Sequence, residues 1–237
     1  MRSGSDASNA GSGLGVPVHR EGWRFILLFF GLSLLFGLLW RPLFGPGIVL
    51  TLWCAYFFRD PPRVTPLLPG AVVSPADGRV VSVTARVPPA ELGLGAQPLP
   101  CISVFMSVFD VHVNRTPVPG RVVRRSYRPG RFFNAALDKA SDDNERQGYV
   151  IEDDAGRRIG LVQIAGLIAR RIVGFAEEGT VLHPGDRIGL IRFGSRCDVY
   201  LPQGIVPRVC VGQRTVAGET VIAYLDGPQV AVEGRRT

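Results

Sequence analysis

A mostly-β domain, built as a β-sandwich and preceded by a hydrophobic helical hairpin, is the fold class this sequence predicts. Three observations lead there. Apolar residues make up 46 % of the 237-residue chain, yet the excess is gathered in two runs near the N-terminus. Beyond Val64 they come instead as short Val/Ile-rich runs punctuated by Gly, Pro and Asp, the texture of strands and turns. Two of those punctuated pieces resemble each other, Ser-Pro-Ala-Asp-Gly-Arg-Val-Val at 74–81 and Thr-Pro-Val-Pro-Gly-Arg-Val-Val at 116–123.

Residues 1–21 are read as a disordered tail: the first 18 are rich in Gly, Ser and Ala and carry no apolar periodicity. Residues 22–60 hold the hairpin. Phe25 to Trp40 is almost wholly apolar, Arg41-Pro42 breaks it, and a second run extends from Leu43 to Phe58 with Gly45-Pro46-Gly47 near its start. Each run is about 16 residues, against roughly 20 for a full span, so the pair is expected to enter the bilayer or just cross it. Arg20 and Arg24 precede it and Arg59 and Arg63 follow, which by the positive-inside rule places both ends on the cytoplasmic side. Trp40-Arg41-Pro42 offers no small-residue signal-peptidase site, and bulky Trp53 before Cys54 does not suit a lipoprotein cysteine.

The segment 64–226 is the expected catalytic domain, and 227–237 a second tail. Strands are expected at Val72–Val73, Val80–Val83, Ile102–Val113, Val122–Val123, Gly160–Ala165, Ile188–Phe193 and Val221–Leu225, with Asn134–Gln147 helical or loop-like. The two repeated pieces, together with His-Pro-Gly-Asp-Arg-Ile-Gly at 183–189 and Val-Ala-Gly-Glu-Thr-Val at 216–221, place Pro/Gly turns before Val-rich strands. That arrangement resembles the barrel-sandwich hybrid of lipoyl and biotinyl carriers, where glycine supplies φ > 0 in the turn.

The formal net charge is +7, and Lys139 is the only lysine. A basic chain suits an anionic partner. Aromatics do not alternate with the basic residues and no nucleic-acid motif is present, so the expected partner is a membrane phospholipid surface and not nucleic acid. Cys54, Cys101, Cys197 and Cys210 form no CxxC pair, which indicates neither a disulfide framework nor a metal site. His19, His112 and His183 are too scattered for a metal cluster, and no metal is expected.

Chemistry points to Phe193-Gly194-Ser195-Arg196. A serine after glycine is by default a turn, but self-cleavage favours this dipeptide. The hydroxyl must attack the preceding carbonyl, and a residue without Cβ tolerates the strained backbone best. A base must take the serine proton. His112 is the candidate: in Asp110-Val111-His112-Val113-Asn114 a strand would put Asp110, His112 and Asn114 on one face. Asp77, in Pro75-Ala76-Asp77-Gly78, is an available carboxylate whose default role is a turn. Together they have the composition of an orienter, base and nucleophile set, Asp77, His112 and Ser195.

These residues carry a family resemblance. The chain resembles the short, type A form of bacterial phosphatidylserine decarboxylase, pyruvoyl-dependent, on Phe57-Phe58-Arg59-Asp60-Pro61-Pro62-Arg63, Ser74-Pro75-Ala76-Asp77-Gly78, Asp110-Val111-His112-Val113-Asn114-Arg115, Asp138-Lys139-Ala140-Ser141 with Asn144-Glu145-Arg146, Gln163 to Arg171, and Phe193-Gly194-Ser195-Arg196. It runs from about residue 22 to 225.

The resemblance implies autocatalytic serinolysis at Gly194-Ser195. An ester forms, β-elimination gives a dehydroalanine, and loss of ammonia leaves a covalent pyruvoyl group derived from Ser195. A large subunit, 1–194, and a small one, 195–237, come from one proenzyme. It further implies that Ser195 forms the Schiff base with substrate. His112 is the base of self-cleavage and later the proton donor, and Asp77 orients it. The reaction is decarboxylation of phosphatidylserine to phosphatidylethanolamine and CO2 at the cytoplasmic face of the bacterial inner membrane. Arg170 and Arg171 are candidates for the headgroup phosphodiester. A homo-oligomer of the heterodimer stays open.

The sequence departs from the family's longer branch at Phe109, where that branch has a second His, and at Phe193-Gly194-Ser195-Arg196, where it has Leu-Gly-Ser-Thr. Two rivals remain at this stage. One is a membrane-anchored lipoyl-like adaptor without catalysis, which needs neither Gly194-Ser195 nor His112. The other is a membrane serine hydrolase, against which the G-x-S-x-G elbow is missing.

Overall fold

The computed structural model describes residues 17–130, 144–166, 171–192, 194–230, 232 and 234. They fall into two compact units, one of residues up to Ala55 with Arg59–Pro62, the other of Tyr56–Phe58 with everything from Arg63 onward.

The first unit is the helical hairpin. A short 3-10 turn, Arg20–Gly22, leads into α1 (Trp23–Leu39); Trp40 turns the chain with extended backbone, a second 3-10 turn (Arg41–Leu43) begins with Pro42 in its first turn, and α2 (Phe44–Phe57) follows. Proline is tolerated there because the first amides of a helix have no internal acceptor. The helices approach at small residues. Ser33 is buried and its hydroxyl donates to the Phe44 carbonyl at 3.0 Å, while a Cβ on Gly47 would collide with the Ser33 side chain. Such small-residue contacts are how helices associate in lipid. Arg20–Leu39 has a mean hydropathy of 1.9 and is the one described helix long and apolar enough to cross a membrane. Leu28, Phe30, Leu35, Leu38 and Leu39 on it are exposed, an outward apolar surface that a lipid phase would cover. Residues 17–21, read as tail from the sequence, are tied in: Val18 bridges Arg59, and the Asp60 amide donates to the Pro17 carbonyl at 2.7 Å.

The described residues of the second unit are mostly β, in agreement with the fold class. Its strands are β1 (Ala71–Val73), β2 (Gly78–Arg86), β3 (Leu99–Met106), β4 (Val113–Arg115), β5 (Gly120–Arg128), β6 (Arg146–Glu152), β7 (Arg158–Ala165), β8 (Ile172–Gly174), β9 (Val181–Leu182), β10 (Arg187–Ile191), β11 (Ser195–Tyr200), β12 (Arg214–Thr215) and β13 (Val221–Tyr224). Eight form one sheet in the order β12-β2-β3-β11-β7-β6-β5-β9; β4-β10-β8 and β1-β13 form two smaller sheets. The main core joins one face of the large sheet to the small ones, uniting Val104, Met106, Leu161 and Val199 with Val72, Ile188, Ile191 and Ile222. On the opposite face Cys101, Val162, Ile164 and Tyr200 pack with Leu92, which stands on the 3-10 turn Ala90–Leu92. A sheet buried on both faces explains strands without strict polar alternation.

The repeated pieces are structural equivalents. Ser74 and Thr116 are both buried, and each hydroxyl bonds the carbonyl two residues on, Ala76 at 2.8 Å and Val118 at 2.5 Å. Each piece then enters a nine-residue strand, β2 or β5, through a glycine (Gly78, Gly120) whose positive φ and close approach to the neighbouring strand exclude a side chain.

Three expectations are corrected. The run Ile102–Val113 is not one strand: β3 ends at Met106, a turn occupies Ser107 to Asp110, and β4 begins at Val113. Of the segment expected to be helical or loop-like, Arg146 and Gln147 begin strand β6; residues 134–143 lie outside the described residues. Ser195, whose default place was a turn after the strand expected at Ile188–Phe193, opens the central strand β11.

Candidate active site

Strand β11 has neighbours on both sides, so Ser195, its first residue, lies opposite Met106 of β3 and Ala165 of β7. Ser195 is completely buried, with its hydroxyl 3.8 Å from the Met106 sulfur. A thioether is a weak acceptor and leaves the oxygen's lone pairs essentially intact. Gly194 has φ +67°, while a Cβ there would meet no atom within 4 Å. Glycine is demanded here by backbone angle, not by space.

Both backbone polar groups of Gly194 are gripped. Its carbonyl oxygen, the one belonging to the Gly194-Ser195 peptide, accepts the Gly166 amide at 3.0 Å. Its own amide donates to His112 Nε2 at 3.2 Å. His112 Nδ1 lies 2.9 Å from the Asp110 carbonyl oxygen, which can only accept. The proton therefore sits on Nδ1, and Nε2 presents its lone pair toward Gly194. The ring of Phe57 packs on the imidazole, centroids 4.3 Å apart.

His112 takes this place for a different reason than the sequence implied. It is not on the solvated face of a strand. Asp110 folds the preceding residues into a turn, its carboxylate accepting the Ser107 amide at 2.8 Å and hydroxyl at 2.7 Å. That turn delivers Val111 and His112 into the interior, where both are buried. Asn114, expected beside it, is buried too, and links Met106 to Gln163: its amide lies 3.4 Å from the Met106 sulfur and its oxygen accepts Gln163 Nε2 at 2.7 Å.

Asp77 does not meet His112. Its carboxylate pairs with Arg63 Nη2 at 2.7 Å and accepts the Ala217 amide at 2.8 Å. The turn that a Pro-Ala-Asp-Gly sequence forms directs the side chain toward the linker arginine, and the orienting contact to Nδ1 is made by a main-chain carbonyl instead. Arg196 and Asp198 point to the other face of β11, where they form a buried pair at 2.8 Å. Cys197, between them, is a thiol that burial, with Asp198 beside it, holds well above its ordinary pKa, which keeps it neutral and unreactive.

Known proteins match this chain closely. The family model for phosphatidylserine decarboxylase matches residues 50–223. A phosphatidylserine decarboxylase proenzyme of Cereibacter sphaeroides is 55 % identical over 221 residues, covering 93 % of this chain and 94 % of the relative. One of Beijerinckia indica subsp. indica is 62 % identical over 207 residues, covering 87 % and 89 %. The chain belongs to the phosphatidylserine decarboxylase family.

The matched region runs from α2 into β13, covering β1 to β12, and takes in Gly166, His112, Gly194 and Ser195. A cavity of about 500 Å³ opens in the same unit, lined by Arg125, Tyr127, Glu145, Gln147, Arg171 and Ile172 among others. Two of its lining residues are tied by backbone bonds to residues close to Gly194 and Ser195 in sequence or register: the Arg171 carbonyl accepts the Arg192 amide at 3.2 Å, and the Glu145 carbonyl accepts that of Ala165, the β7 partner of Ser195, at 2.9 Å. Glu145 is buried, and its carboxylate accepts the Tyr127 hydroxyl at 3.1 Å and the Ile172 amide at 3.2 Å. Burial and that carboxylate together raise the Tyr127 pKa. Arg171 thus lines a cavity; Arg170 lies outside the described residues.

Three participants in this constellation went unread in the sequence. The Gly166 amide and the Asp110 carbonyl are main-chain groups whose direction no side-chain pattern encodes. Phe57 stood in the quoted Phe57-Phe58-Arg59-Asp60 stretch, but its apolar neighbours marked it as hairpin.

Proposed function

We propose that this chain is a self-cleaving phosphatidylserine decarboxylase whose Gly194-Ser195 bond converts to a covalent pyruvoyl group. The observation that carries the proposal is the grip on Gly194, with an amide donor on the carbonyl oxygen and a neutral imidazole nitrogen on the adjacent N–H. Ser195 Oγ attacks the Gly194 carbonyl carbon as His112 Nε2 takes the hydroxyl proton. The Gly166 N–H bears the charge that develops on oxygen, a contribution of about 10²–10³ in rate for one such donor. The Gly194–Ser195 C–N bond then breaks, the nitrogen receives a proton, and an ester joins the two segments. Loss of the α proton expels the Gly194 carboxylate and leaves dehydroalanine; its imine tautomer reacts with water to release ammonia. The products are 1–194 and a 195–237 chain with a pyruvoyl N-terminus.

The residues present fit that group: the serine from which it derives is buried at the start of a strand fixed on both sides, with His112 one residue away. In place, a pyruvoyl carbonyl provides the electron sink for the pair left when CO2 departs from an amino-acid headgroup. His112 then holds the proton that returns to the substrate α carbon. Arg171 and Arg125 line a cavity of the size a headgroup requires and supply cationic donors for its phosphodiester; Arg170 is the remaining candidate. Asp77, together with Arg63, ties the segment that would become the large subunit to Ala217 in the small one, and serves the site by holding that joint. The apolar Arg20–Leu39 helix brings the enzyme to its lipid substrate, with Arg20, Arg24, Arg59 and Arg63 favouring the cytoplasmic face of the inner membrane. The adaptor alternative has no use for the grip on Gly194.

Intact mass of purified, active protein tests the proposal. Two chains are expected, the smaller beginning at residue 195, blocked to Edman chemistry and reactive toward hydroxylamine. Ser195→Ala should remain one chain and inactive. Active material consisting of a single full-length chain refutes it.

A further inference from the structure

Phe57 is the last residue of α2, a helix whose preceding turns expose Val49, Leu50 and Leu52. Phe57 itself is wholly buried and belongs to the β unit. Its ring lies 4.3 Å from the His112 ring, tilted 34°, and Phe58 braces it edge-on at 5.0 Å and 79°. The imidazole is pinned at both nitrogens, to Asp110 and to Gly194, and both bonds act on the ring's edge. The torsion about χ2 is intrinsically broad and two-fold, so the orientation of the ring depends on what meets both its edge and its face. A flat apolar side chain against the ring face resists that rotation and keeps water from it.

We infer that Phe57 is a positioning residue for self-cleavage, holding the His112 imidazole in the orientation that directs Nε2 at Gly194. The second hydrophobic helix is then more than an anchor, because its final side chain is part of the support of the base. The inference rests on the proposed role of His112 and adds to it a residue that never touches the reacting atoms.

The test uses full-length precursor made by cell-free synthesis into lipid nanodiscs. Cleavage of Phe57→Ala should be roughly tenfold to a hundredfold slower than wild type. Phe57→Leu, which keeps apolar volume without the flat ring and folds more readily, should fall between. A purely structural role would also slow cleavage, so a second readout is needed. The chain has three histidines, and selectively ¹⁵N-labelled histidine in the uncut Ser195→Ala precursor reports the tautomer of each. His112 should show the Nδ1-protonated pattern, and the Phe57→Ala change should convert it to the averaged pattern of a ring exchanging between its two tautomers. Wild-type cleavage rates in both Phe57 variants, or an unchanged His112 pattern, overturn the inference. If His112→Gln cleaves at the wild-type rate, it is the role of His112 that fails; if His112→Gln is blocked while both Phe57 variants cleave normally, only this inference fails.

Discussion

Replacing His112 separates the support of the fold from the chemistry. His112→Ala removes a buried ring that satisfies the Gly194 amide and the Asp110 carbonyl. Each orphaned polar group costs about 1–3 kcal/mol, together with a cavity beside Phe57. The sum is a large fraction of the roughly 5–15 kcal/mol that holds a domain together, so loss of cleavage in that variant confounds two causes. His112→Gln retains an amide of similar reach that pairs with one of the two groups, which limits the destabilisation to about 1–3 kcal/mol. At about 2–4 °C per kcal/mol, the melting point should fall by no more than roughly 12 °C. The proposed general base, in contrast, is gone entirely, and its removal should slow proton transfer by about 10²–10⁴, or roughly 2.7–5.5 kcal/mol of barrier. Pulse-labelled precursor followed by gel gives the rate of appearance of the 195–237 chain, and scanning fluorimetry gives the melting point. A glutamine variant that melts near the expected temperature and still matures at the wild-type rate would falsify the assignment of His112 as base.

Other consequences follow from the same geometry. Asp77→Asn should lower stability by about 1–3 kcal/mol, because it weakens a partly buried charged hydrogen bond to Arg63 and the acceptor for Ala217. Arg63→Gln should do the same and the double variant little more; additive losses would mean that the two residues act independently. Arg171→Gln and Arg125→Gln should each raise KM for phosphatidylserine about tenfold or more while self-cleavage proceeds, as expected for a lost charge-assisted bond worth about 1.5–3 kcal/mol; an unchanged KM in both places the headgroup elsewhere. Burial alone would raise the Glu91 carboxyl, but the hydrogen bond and charge of Arg146 outweigh it and its folded pKa is lowered. Its contribution is therefore present above the unfolded carboxylate pKa of about 4.3 and fades as pH falls below that value. Glu91→Gln should lower the melting point at pH 7 and lower it progressively less as pH falls below about 4.3; an effect that stays the same in acid would show that the charge is irrelevant.

What the linear chain determined was whatever depends on local composition and period. The hairpin was legible because two apolar runs interrupted by Arg41-Pro42 admit few other structures. The β unit was legible because Val/Ile runs between glycine and proline turns do the same, and the paired motifs at 74–81 and 116–123 became equivalent turns. Gly194 and Ser195 stood out as candidates because the chemistry of an internal serine attack favours that dipeptide. Strands β6 and β11 were harder to read, since their polar members are buried by pairing, Arg146 with Glu91 on the 3-10 turn, Gln147 with the Ser126 carbonyl of β5, and Arg196 with Asp198 on the same strand, and do not alternate with solvent. Tertiary structure alone decided which groups meet. It turned Asp77 toward Arg63, left the His112 tautomer to a main-chain carbonyl, aimed the Gly166 amide at the Gly194 oxygen and brought Phe57 onto the imidazole from 55 positions away in sequence. Backbone donors and long-range ring contacts take their directions from strand register and turn geometry, and those directions exist only once the chain has closed on itself.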